Sequence, residues 1–128
     1  MLRLALLAAI IAAATGSAFA SNTTTRWFHS PSGNIACEVG VSRPTLGTSA
    51  FCVSKRPVRC ATLKSSGSVV VYQNCLLGNA PESAFTLRYG HSVRVGPFQC
   101  SSRRDGVRCR VVRNGHGFLI SRAGLKRF

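Results

Sequence analysis

The sequence predicts an all-β fold, and three observations carry that expectation. Helical periodicity is nearly absent beyond residue 20. Short apolar or alternating runs recur roughly every eight to twelve residues, separated by Gly, Pro, Ser and Asn. Six cysteines, Cys37, Cys52, Cys60, Cys75, Cys100 and Cys109, fall in the same stretch. Together they describe successive antiparallel hairpins forming a small sandwich or a partly open barrel, stapled by three disulfides.

The chain opens with Arg3, an apolar run of 11 residues over 4–14, and the small-residue end Ala18-Phe19-Ala20. That is the pattern of a secretory signal peptide cut after Ala20. The run is too short for a membrane-spanning helix, which needs roughly 20 apolar residues. A retained N-terminal anchor is the rival reading, disfavoured because the small residues before Ser21 suit a signal peptidase. Residues 21–128 then form one domain, exported and periplasmic or extracellular, with no transmembrane segment.

The elements follow in order. "SPSGN" is a turn: Pro31 presets φ, Gly33 tolerates the exit geometry, and Asn34 can bond its own backbone before the strand Ile35-Ala36-Cys37. Its amides from Ser32 to Asn34 could instead form an anion-binding nest. "VSRPTLGTS" and "KSSGS" supply two further turns. Ser68-Val69-Val70-Val71-Tyr72, apolar almost throughout, reads as a strand covered on both faces. Ser92-Val93-Arg94-Val95 and Val107-Arg108-Cys109-Arg110-Val111 alternate with period two, which puts their arginines on one face and their apolar residues on the other. "CVSKRPVRCATL" and "CSSRRDGVRCRVV" echo one another, which suggests a strand, a basic turn and a returning strand used twice. Asn114-Gly115 is a strong hairpin signal and predicts that a strand from Phe118 to Ser121 folds back on the preceding one.

Six cysteines in one small domain imply an oxidising compartment and three disulfides. In an antiparallel hairpin, facing residues have a constant sum of sequence numbers, and Cys100 with Cys109 shares its sum with Phe98 and Val111. That register pairs the two cysteines on an apolar face and requires a two-residue turn at Arg104-Asp105. Asp105-Gly106 is the better turn dipeptide, so a bulge at Gly106 is the alternative. The other pairs are either Cys37 with Cys52 and Cys60 with Cys75, or an arrangement built on Cys52 with Cys60, as the echo suggests. No C-x-x-C pair occurs, and His29, His91 and His116 lie at no ligand spacing from a cysteine, so neither a metal nor another cofactor is expected.

The charge is one-sided: 17 Lys and Arg against three acids give +14, and +13 once Arg3 is removed with the leader. Such an excess attracts polyanions. Arg103, Arg104, Arg108, Arg110, Arg113 and Arg122 form the candidate binding surface, with Asp105 the one acid among them. Few aromatics interleave with these cations, which favours plain electrostatics over base stacking. The partner is then an anionic polymer, such as an acidic envelope component, or an acidic protein surface. Two other functions compete with this reading. A small ribonuclease-like hydrolase would use His29 and His116 with a cation. An inhibitor of a secreted enzyme would present a protruding loop over residues 43–49. Gly-His-Gly at 115–117 has no phosphate-loop meaning, because no full glycine fingerprint or helix follows. Glycosidase chemistry would have to draw on Glu38, Glu82 and Asp105 alone.

"FHSPSGNIACEV", "LRYGHSVRVGPFQCSS", "GVRCR" and "NGHGFLISR" occur in that order across residues 28–128, and the chain resembles a family of small exported bacterial domains of unknown function. Asn114 departs from the Thr usual in that pattern, and the middle, residues 60–84, matches loosely. The resemblance implies cysteines joined in successive pairs, which favours Cys37–Cys52 and Cys60–Cys75. It implies no activity.

Overall fold

Period-two alternation dictates sheets with one face inward, and the computed structural model shows two of them. It describes residues 25–43, 47–73, 75, 81 and 84–128. The expected leader at 1–20, residues 44–46 of the expected "VSRPTLGTS" turn, and Glu82 lie outside these residues. Among the described residues no helix is long and apolar enough to cross a membrane.

The first sheet holds β1 (Arg26–His29), β2 (Ile35–Arg43), β3 (Gly47–Lys55), β4 (Val58–Lys64) and β5 (Val69–Tyr72) as an antiparallel meander. β6 (Phe85–Thr86) then lies parallel to β1 at the far edge. The second sheet is a meander of β7 (Ser92–Val95), β8 (Phe98–Arg103), β9 (Gly106–Val111), β10 (Gly117–Ile120) and β11 (Leu125–Arg127). The two pack face to face around Phe28, Leu63, Phe98, Phe118 and Ile120, all buried. Each buried side chain of this size stabilises the fold by roughly 1.5–3 kcal/mol.

All three disulfides join successive cysteines: Cys37–Cys52, Cys60–Cys75 and Cys100–Cys109. Cys37 faces Cys52 directly across β2 and β3, and Cys100 faces Cys109 across β8 and β9. Both pairs point into the core, where Cys52 Sγ lies 3.7 Å from Cys109 Sγ. The sulfurs of Cys37, Cys52 and Cys109 are thus within 4.8 Å of one another. Their proximity reflects two stacked disulfides; as neither offers a thiolate, the cluster is not a metal-ligand set.

One open alternative is settled and two local expectations are corrected. The β8–β9 register pairs Cys100 with Cys109 and Arg103 with Gly106, so the turn is Arg104-Asp105 and no bulge is needed. Gly106 serves a different purpose: a Cβ there would lie 2.1 Å from the carbonyl oxygen of Ile120, so the residue is small to let β10 approach. The Val69–Tyr72 strand is not covered on both faces. It is an edge strand, with Val71 and Tyr72 exposed. The amides of the "SPSGN" turn do not form an open nest, because Gly33 N–H donates to Ser30 O, Asn34 N–H to Ser32 Oγ and Ile35 N–H to Ser30 Oγ.

Asn114-Gly115 does lie in a hairpin connection, as the second half of a four-residue loop closed by Val111 N–H donating to His116 O. The sequence patterns placed no strand after Ser121, and β11, a short Leu-Lys-Arg run, carries no clear alternation.

Candidate basic surface and end groove

Strand alternation sorts the arginines. On β9, Val107, Cys109 and Val111 are buried, and Arg108 and Arg110 project outward. The register then builds two rows across the outer face of the second sheet. One runs Ser92, Ser101, Arg108, Leu119, Lys126. The other runs Arg94, Gln99, Arg110, Gly117 and, by paired backbone hydrogen bonds, Phe128. Arg103 extends the surface on β8. No acidic residue lies in either row.

Several of these cations are held in place. Arg110 donates through Nε (3.1 Å) and Nη2 to Gln99 Oε1, and the Arg108 guanidinium lies 4.0 Å from the Phe128 ring centroid. Neither contact neutralises the charge, so each fixes a cation while leaving it available to an anion. Gln99, Ser101, Arg103, Arg108, Arg110 and Gly115 line a shallow, mainly polar depression of about 500 Å³.

The remaining predicted cations lie elsewhere. Arg104 and Arg122, with Arg103, line an open groove of about 560 Å³ at one end of the sandwich. Three turns build it: residues 30–35 after β1, residues 103–106 between β8 and β9, and residues 121–124 after β10. Tyr89 contributes from the turn before β7, and the Arg104 guanidinium lies 5.4 Å from its ring centroid. Arg113 sits in the β9–β10 loop, exposed, and lines neither feature. The six predicted residues therefore divide into a face (Arg108, Arg110), an end groove (Arg104, Arg122), a link between them (Arg103) and an outlier (Arg113). Sequence reading missed Arg94, Gln99, Phe128 and Tyr89. Arg94 carried a usable signal, the alternation of 92–95, whereas the others required the tertiary register.

The two histidines occupy separate places. His29 Nδ1 lies 3.1 Å from Phe85 O, where β1 meets β6. His116 Nδ1 lies 3.4 Å from Phe128 O, and its loop packs on the β4–β5 turn, where Asn114 Nδ2 donates to Ser66 O. A Cβ on Gly67 would meet the His116 Cβ at 2.9 Å. β2 and β3 lie between β1 and β4, and the two rings share no cavity among those described. The loop expected to protrude over 43–49 ends in the paired strands β2 and β3, and its tip lies outside the described residues.

Residues 69–128 match the model of a protein family of unknown function, DUF6636. The matched stretch takes in the whole second sheet and both edge strands of the first. No curated protein sequence matches the chain, and neither does any solved structure.

Proposed function

We propose that the chain is an exported, non-enzymatic binding module that holds an anionic component of the cell envelope on the outer face of its second sheet. The leader pattern of residues 1–20 supports export, with release into the periplasm or the extracellular space after Ala20. Three disulfides agree with it, since such bonds persist in oxidising compartments. The observation that carries the reading is the pair of rows bearing Arg94, Arg108, Arg110 and Lys126, bordered by Arg103 and free of acids. An open face of cations suits an extended, repeating anion, because within each row the charges recur two strands apart, about 9.6 Å, without a shaped pocket.

The test is retention of the domain on an immobilised acidic polysaccharide such as heparin across a salt series. Retention should fall steeply with salt, and a variant with Arg103, Arg108 and Arg110 changed to Ser should elute at lower salt, with a slope reduced by about one unit per removed contact. Retention without a salt slope, or none at low salt, would overturn the reading.

A further inference from the structure

The end groove differs from the sheet face in composition. Arg103, Arg104, Arg122 and Lys126 meet there with one carboxylate, Asp105, which forms an ion pair with no described residue. Leu119, Ile35 and Ala123 give it an apolar wall, and Tyr89 stands beside them, 40% exposed. Four cations against one carboxylate leave the groove positive and favour an anionic ligand. The lone carboxylate adds selectivity: it accepts hydrogen bonds from hydroxyl groups, and it repels a compact anion that has none to offer. Apolar atoms suit the C–H face of a sugar ring, and the guanidinium of Arg104, held over Tyr89, offers the paired donors that a carboxylate accepts. At about 560 Å³ the groove falls within the ordinary size range of small-molecule sites.

We propose that this groove is a subsite for one acidic sugar unit, a polyol ring carrying one carboxylate, and that it receives a unit of the polymer lying on the sheet. The second part rests on the polymer-binding reading. It follows from continuity, because Arg103 lines both the groove and the face depression, and the Leu119–Lys126 pair belongs to both the face and the groove wall. The sheet face therefore holds the chain by charge alone, and the groove selects its chemistry.

The experiment follows backbone amide NMR shifts of the isotope-labelled domain during titration with glucuronate, glucose and inorganic sulfate, alongside heparin retention. Glucuronate should shift amides at residues 30–35, 103–106 and 121–124 saturably. Glucose and sulfate should bind about tenfold more weakly or less. Arg104→Ser with Arg122→Ser should weaken glucuronate by about tenfold, whereas Arg113→Ser, at a position lining neither feature, should leave it unchanged. Shifts confined to the sheet face, equal affinity for sulfate, or indifference to the Arg104 and Arg122 changes would overturn the subsite. Heparin retention with a normal salt slope but an unperturbed groove would defeat the subsite alone. Glucuronate bound in the groove without heparin retention would defeat the polymer reading and leave the subsite.

Discussion

Cys37–Cys52 and Cys100–Cys109 hold equivalent positions, each bridging directly paired residues on the inner face of its sheet, yet the outer faces of the two sheets have little in common. On the first sheet, Val53, Cys60 and Thr62 point away from the core and are nevertheless buried. Around them the face carries Trp27, Ala36, Glu38 and Phe51, with lysines at its ends, Lys55 and Lys64. Cys60 bonds to Cys75, so this face is covalently tied to the chain leaving β5. On the second sheet the same alternation presents arginines and hydroxyls. One inward pattern therefore supports two outward chemistries, and the exposed, cationic one is available for binding.

That contrast can be tested from its deepest element outward. Changing Cys37, Cys52, Cys100 and Cys109 together to Ala should cost roughly 5 kcal/mol in denaturant unfolding. This should be less than the sum of the two pairs removed separately, because the stacked sulfurs at 3.7 Å lose the same contact in either case. Strict additivity would show that the two inner faces do not depend on each other.

Val53→Arg should destabilise by roughly 3 kcal/mol, since it forces a long charged side chain into a buried position on the covered face. Ser101→Arg, an outward change on the bare face, should stay within about 0.5 kcal/mol. Equal costs in thermal unfolding would erase the distinction between the faces. The smallest effect is expected for His116→Ala, which removes an exposed contact to Phe128 O: about 0.5 kcal/mol, with heparin retention unchanged. A large loss of retention would give His116 a binding role that its position does not suggest.

The hairpins were legible because strand period and a constant register sum are local rules; Phe98, Cys100, Cys109 and Val111 sufficed to place β8 on β9. The β8–β9 turn stayed open between two dipeptides because the constraint on Gly106 comes from Ile120, fourteen residues away in sequence, while Asp105-Gly106 offered a persuasive turn. The Val69–Tyr72 run looked doubly covered because apolar composition does not reveal an edge. The two-residue β6 has no pattern of its own, and its parallel partner β1 lies more than fifty residues earlier. The same division holds for the binding surface. Arg108 and Arg110 could be assigned to one face from alternation, whereas the meeting of Tyr89, Arg104 and Arg122 in one groove depends on three separate turns.

Two disulfides each bridge paired strands of one sheet, the third ties β4 to the chain beyond β5, and none stitches the two sheets to each other. The sandwich therefore has a seam, held by phenylalanines and by sulfur touching sulfur, along which the halves can part while every covalent loop stays closed. Prying it open would leave two pre-looped leaves that retain their own registers, ready to close again without searching for partners.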